Sequence, residues 1–393
     1  MLITQNKSID MMIHPWLTDR FNRPLSMKSY GMESMIIAAL FWLITYLNWE
    51  LFDLQNDSPM MVWQAEALVL VYAMLRGWAS IPGNCLGIFT VTLLMWQISW
   101  PASIGMALVN SAAPAMAGFL IRKYAPQFPP LGTLRNTAYF ILFGIILMPL
   151  ITAPGSSLSL WASNRIASDQ LWPFSRQWYL NDMCGNLIYA PLWLAWLKTY
   201  PPIPRKHRIK LGLVSIITIL ISYSAISSGK IPIQGMGFIL IIPLTWITIR
   251  FSLRESMTLF ISIFIMLLTM ISIGHTGQPA ESISRLSIAF MAITFNLSLL
   301  MMNALASEQK TTQEIIKAKT RNYAHYLDNL PGISYQCKND QDRTILYLSR
   351  GFEKITGYDV NQHLTNRALF FKELILPEYR SFAWKKFLEL NPH

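Results

Sequence analysis

The chain predicts an all-α polytopic membrane protein with a short mixed α+β segment at its C-terminal end. About ten apolar stretches follow one another between Ser34 and Leu305, each near the ~20 residues that a membrane-crossing helix needs. The links between them alternate between basic and barely basic, as expected when Lys and Arg near span ends are retained on the cytoplasmic side. Residues are 53% hydrophobic and 13% charged, against about 25% charged in an average soluble domain.

The stretches place spans at 34–52, 61–75, 78–96, 102–121, 137–151, 182–197, 211–227, 235–250, 256–273 and 286–305. Several contain proline. Pro114, Pro149, Pro191 and Pro243 each remove a backbone donor, which a bilayer tolerates only where neighbouring helices or water satisfy the freed carbonyl. Kinked helices packed against protein are expected. In the fourth span, Ala112, Ala113, Ala115, Ala117 and Gly118 permit close approach of a neighbouring helix.

The basic set holds Lys7, Arg20, Arg23 and Lys28, then Arg76, then Arg122, Lys123 and Arg135. It continues with Lys198, Arg205, Lys206, Arg208 and Lys210, then Arg250 and Arg254, and closes with Lys310, Lys317, Lys319 and Arg321. The intervening links offer only Arg165, Arg176, Lys230 and Arg285. Both termini are therefore expected in the cytoplasm, with an even number of crossings in a bacterial cytoplasmic (inner) membrane. Short cytoplasmic loops account for the net charge of +11 and bring it to anionic lipid headgroups, so no nucleic acid is expected as a partner. Nucleic-acid binding would call for a folded basic face.

Residues 1–33 read as a cytoplasmic arm retained in the mature protein, because the first apolar run is too long for the apolar core of a signal peptide. The membrane domain occupies 34–306. Cys85, Cys184 and Cys337 form neither a disulfide framework nor a metal motif. Residues 307–326 are polar, helix-favouring and free of breakers, a connector continuing the last span. A homodimer through this connector is possible, although its heptad register puts Gln309 and Lys319 in the seam beside Leu305, Thr312, Ile316, Tyr323 and Tyr326. In 327–393 the pattern predicts strands at 332–337 and 344–348, a turn at 339–343, and helices at 351–356 and 377–390.

The strings Leu330-Pro331-Gly332-Ile333-Ser334-Tyr335, Leu346-Tyr347-Leu348-Ser349, Gly351-Phe352 and Ile355-Thr356-Gly357-Tyr358 resemble the first half of a PAS domain. Leu374-Ile375-Leu376-Pro377-Glu378 and Trp384 look like the helix-rich middle of that fold. The resemblance implies about three further strands, which the chain ends before supplying, so an incomplete α+β PAS segment is expected. Comparison with that family also implies no cofactor: helix 378–390 carries no His to ligate haem, and Cys337 lies on the first strand.

The membrane portion resembles the bacterial membrane-associated sensor domain MASE, of its first described type, over 34–308. The resemblance is carried by Arg76-Gly77-Trp78 with Pro82 and Gly87, by Asn110-Ser111-Ala112-Ala113, and by Trp178, Asn181-Asp182, Gly185, Ala190-Pro191 and Trp196. Gln64 and Glu66 depart from it, standing where Pro and small residues are expected. It implies an input module that senses a small-molecule or membrane signal and biases cytoplasmic output domains. Relatives of this type carry diguanylate cyclase, cyclic-di-GMP phosphodiesterase or kinase outputs.

No GGDEF, P-loop, H-E-x-x-H or G-x-S-x-G string occurs in the chain, and its Glu66-Ala67-Leu68 triplet lies inside an expected apolar span, so a non-catalytic module with no catalytic residues is expected. Glu66 is the sharpest ligand-sensing candidate, because an ionisable group inside a span costs about 3 kcal/mol or more and usually faces a cavity or a partner. The alternative places it nearer an interface or bonded to a neighbouring helix. Asp182 is a second candidate, although at the expected outer end of the sixth span its first expected role is to cap the helix and complement its dipole. Asn110 and Asn181 complete the candidate set, and interhelical packing explains such asparagines without a ligand. His275 and Glu281 share a loop but lack a third ligand, so no metal site is expected. The competing functional class is a small-molecule membrane transporter, favoured by the proline-broken spans and by Glu66.

Overall fold

The computed structural model describes residues 27–52, 63–200, 202–230, 235–272, 285–337, 345–360 and 376–390. Outside the described residues lie the arm up to residue 26, the 339–343 turn, Leu374, Ile375, His275 and Glu281. The chain divides into two compact units, Met1–Gln309 and Lys310–His393.

In the first unit the helices are α1 (Met27–Phe52), α2 (Gln64–Arg76), α3 (Ile81–Thr90), α4 (Trp100–Tyr124), α5 (Leu134–Phe140), α6 (Met148–Ala162), α7 (Leu171–Leu197), α8 (Arg205–Ser228), α9 (Met236–Arg250), α10 (Leu253–Ser272) and α11 (Arg285–Asp328), the last crossing the unit boundary. Seven helical segments among the described residues are long and apolar enough to cross a membrane. Half-exposed apolar side chains line their outer faces, for example Leu213, Ile216, Ile217 and Leu220 on α8. The chain is an all-α polytopic membrane protein.

One of those seven segments, Gln64–Met95, doubles back on itself. Gly77 leaves α2 at φ 62° and ψ −135°, backbone space that residues with a Cβ avoid. The Arg122 guanidinium packs on its Cα, where a Cβ would stand. Pro82 then sits in the first turn of α3, where its missing N–H costs nothing. The return leg ends in a wide π turn, Val91–Met95, which brings the Trp96 ring to 5.3 Å from the Trp63 ring just before α2. At the opposite end, buried Glu33 of α1 accepts from Arg76 Nε at 2.6 Å and Nη2 at 2.5 Å, pinning α1 to α2.

α2 lies between α4 and α7, and α6 packs on both of these. Leu70, Met74, Ile121, Phe140, Ile145, Leu187 and Leu194 fill the space between these helices. Small residues set the spacing, as their pattern predicts. A Cβ on Gly118 would stand 2.6 Å from the Ala73 carbonyl oxygen, and one on Gly185 would collide with the Trp63 carbonyl. Ala113 and Ala117 belong to this core and Ala115 is buried as well, whereas Ala112 is exposed.

The span expected at 137–151 is longer, running unbroken from Leu134 through α5, a π segment at Ile141–Leu147 and α6 to Ala162. Pro149 lies in the first turn after the π segment and deprives the Ile145 carbonyl of its donor, which favours the wider turn upstream. Residues beyond 151 look like a link because of their serines. Ser157 and Ser159 instead donate to the Ala153 and Gly155 carbonyls, at 3.0 and 2.8 Å, and remain inside the helix. α7 likewise begins at Leu171 rather than 182, and residues 27–33 belong to α1 rather than to an arm.

In the second unit β1 (Tyr335–Cys337) and β2 (Ile345–Leu348) pair antiparallel with a bulge at Gln336/Cys337, followed by α12 (Gly351–Thr356) and α13 (Pro377–Leu390). Both helices match the sequence pattern, β1 is shorter than the expected 332–337, and β2 covers the described part of the expected 344–348. Asp328 at the end of α11 accepts from Tyr347 Oη at 3.2 Å and from the Arg350 N–H at 2.8 Å. Phe352 is fully buried.

Candidate functional site

A polar group is buried between α2, α4, α6 and α7. Glu66 occupies the first turn of α2 and is 2% exposed, while Asp182 is fully buried. The dipole-complementing position expected for Asp182 therefore belongs to Glu66. Asp182 lies about three turns into α7, too deep to cap that helix. The sequence misleads here because Arg176, Gln177 and Asn181 make the first half of α7 look like a link.

The Thr152 hydroxyl of α6 donates to Asp182 Oδ2 at 2.9 Å. One turn further along α6, Ser156 Oγ accepts from Asn110 Nδ2 at 2.7 Å, and the same amide donates to the Met106 carbonyl at 2.8 Å. Asp182 is near enough to act electrostatically on Glu66. Glu66 Oε1 and Asp182 Oδ1 have no hydrogen-bond partner. Two buried carboxyl groups thus interact, each with one oxygen unsatisfied, an arrangement that is costly unless a ligand, proton or cation completes it.

Glu66 and Asn110 line a cavity with Trp63, Trp96, Trp178 and Thr92. Its free space of about 20 Å³ is room for a single water. The Trp96 and Trp178 rings are 6.4 Å apart and nearly perpendicular. Asn181 stands apart from the cavity and acts as a support: its carbonyl accepts from the Trp63 N–H at 3.3 Å and its Oδ1 from Gln177 at 3.1 Å. Three of the four candidates, Glu66, Asn110 and Asp182, thus converge, and Asn181 positions the tryptophan above them.

Thr152, Ser156 and Thr92 were not legible as site residues. Their only signal is the i, i+4 spacing of Thr152 and Ser156, which puts both on one helix face. Equally silent are Asn303 and Glu308 of α11. Asn303 Nδ2 donates to the Leu131 carbonyl at 2.6 Å, and Glu308 Oε1 accepts from the Leu134 N–H at 3.1 Å. Among the other buried asparagines, Asn186 donates to the Gly144 carbonyl within the π segment at 3.4 Å, and Asn296 to Ala292 of its own helix at 2.8 Å. Among the described residues no group of three or more His, Cys, Asp and Glu is placed to hold a metal ion.

Fold and site together define a polytopic helical membrane protein that carries a buried acidic pair beside an aromatic-lined cavity. The MASE1 family model matches residues 33–310, well over half of the chain, and the chain belongs to this family of membrane-associated sensor domains. No curated protein and no solved structure matches it.

Proposed function

We propose that the chain is the sensing module of a bacterial signalling protein, in which Glu66 and Asp182 register a small-molecule or membrane signal and α11 carries the resulting bias to cytoplasmic output domains. The observation that carries this reading is the run Leu134–Ala162. One end holds Asp182 and Asn110 through Thr152 and Ser156, and the other is fastened to α11 through Glu308. A change at the acidic pair that displaces α6 along this run reaches the start of the connector. Thr152 and Leu134 are about 27 Å apart along a helix at 1.5 Å per residue, a distance over which packed helices with two arrangements transmit coupling.

The membrane reading extends to ten crossings with both termini cytoplasmic, supported by the alternation of basic links. The segment after the connector is read as the start of a PAS domain, and the output as a diguanylate cyclase, phosphodiesterase or kinase, the chain itself being non-catalytic. A homodimer through the connector is supported by exposed Ile315, Ile316, Tyr323 and Tyr326. The transporter alternative fits less well, because a transporter rarely needs a long helix, α11, that continues as a connector into a segment read as the start of a PAS domain.

The test fuses a diguanylate cyclase catalytic domain to the C-terminus of the full chain. Glu66→Gln should shift the rate of cyclic-di-GMP formation while leaving membrane insertion and expression unchanged. An unchanged rate at normal expression would return Glu66 to a packing role, and loss of solute uptake by the same variant would favour the transporter.

A further inference from the structure

We propose that the cavity beside Glu66 binds a primary ammonium group, the protonated head of a small amine. The proposal deepens the sensor reading and rests on it for the site's purpose. Three features select this chemistry. The first is charge: Glu66 lines the cavity, is 2% exposed and has an unpartnered oxygen, the fully buried Asp182 is near enough to act on it, and no Lys, Arg or His is among the described residues that line the space.

The second feature is the wall. Trp63, Trp96 and Trp178 line the same space, with neighbouring ring centroids 5.3 and 6.4 Å apart. Indole faces carry negative quadrupole density and attract cations, most strongly where water is excluded.

The third feature is the match of size to hydrogen bonds. Space for about one water admits an ammonium head and rejects a quaternary ammonium. A primary ammonium has three donors and no acceptor. Glu66 supplies one acceptor. Asn110 spends its amide N–H groups on Met106 and Ser156, which leaves Oδ1 as a second. Thr92 Oγ1 spends its hydrogen on the carbonyls of its own helix, which leaves a lone pair as a third. Ca2+ or Mg2+ would want about six or more oxygens, which the described lining does not provide, and among the described residues no group of three or more His, Cys, Asp and Glu is placed to hold another metal ion.

The test uses the full chain in lipid nanodiscs and methylammonium as the probe, measured by isothermal titration calorimetry and tryptophan fluorescence, with tetramethylammonium and sodium chloride as controls. Saturable methylammonium binding with a fluorescence change is expected, and tetramethylammonium should not compete. Glu66→Gln should weaken binding about tenfold or more, the loss of one charge-assisted contact. Trp178→Leu, which leaves both carboxyl groups in place, should weaken it several-fold and serves if the first variant does not fold. No saturable binding, or binding indifferent to both substitutions, would overturn the proposal. Methylammonium binding that leaves amide exchange at the start of the connector unchanged would support the ammonium site and overturn the sensor reading. An effect of Glu66→Gln on that exchange in a protein that binds no methylammonium would do the reverse.

Discussion

Glu308 accepts a hydrogen bond from the backbone N–H of Leu134 at 3.1 Å, joining α11 at the start of the connector to the first residue of α5. The first N–H groups of a helix have no partner within it. Thr133 satisfies one by accepting from the Asn136 N–H at 3.2 Å, and Glu308 satisfies another from a distant helix. A carboxylate is favoured there by the helix dipole as well. With Asn303 holding the Leu131 carbonyl one turn earlier, α11 is fixed to both sides of the entry to α5.

Removing this fastening has a local and measurable cost. Glu308→Ala should lower stability by about 0.5–2 kcal/mol, the range for losing a helix cap, and speed amide exchange over residues 134–137. Unaltered exchange there would mean that water replaces the carboxylate without loss.

Thr152 is the sole side-chain partner described for Asp182. Thr152→Val should cost about 1–3 kcal/mol by stranding a buried carboxylate oxygen. In an Asp182→Leu background the same change should be nearly neutral, because no stranded oxygen remains. Thermal melts of the four proteins of this cycle measure the coupling directly, and equal costs in the two backgrounds would show that the Thr152 hydroxyl acts elsewhere.

At Gly185 a Cβ would collide with the Trp63 carbonyl, a backbone atom that cannot rotate away. Gly185→Ala should therefore destabilise by about 1–3 kcal/mol or more and move Trp63 off the cavity, read as a shift in tryptophan emission. Wild-type stability and emission in this variant would contradict the close approach of α7 to the start of α2.

Tyr347 lies in the second unit, and partial burial together with the nearby Asp328 carboxylate raises its phenol above the ordinary 10.0. Its folded value exceeds its unfolded one, so its contribution to stability is complete below pH 10.0 and is lost as pH rises through the raised value. In phenolate absorbance titrations Asp328→Asn should move one tyrosine toward the ordinary value relative to wild type, leaving the others in place. Unchanged titration in that variant would remove Asp328 as a cause.

Much of the architecture is legible in the sequence because it is local. Apolar run length places the helices, Gly77 and Pro82 mark the reversal between α2 and α3, and Gly357 at φ 76° ends α12 where the pattern stops. The failures share a cause. Ser156, Ser157 and Ser159, like Arg176, Gln177 and Asn181, look like links because polarity is read as exposure, yet back-bonding and neighbouring helices satisfy several of them within α6 and α7. The convergence of Glu66, Asn110 and Asp182 depends on which helices lie side by side, and no periodicity within one helix encodes that.

Amide exchange on the full chain in nanodiscs, followed by mass spectrometry, tests the central claim most directly. Wild type, Glu66→Gln, Glu308→Ala and the pair Glu66→Gln/Glu308→Ala would be compared over residues 131–137 and 300–310. If the acidic pair acts on the connector through α6 and α5, Glu66→Gln should change exchange in both segments, and the added Glu308→Ala should abolish the change in 300–310 relative to Glu308→Ala alone. Identical exchange of wild type and Glu66→Gln across both segments would contradict the account.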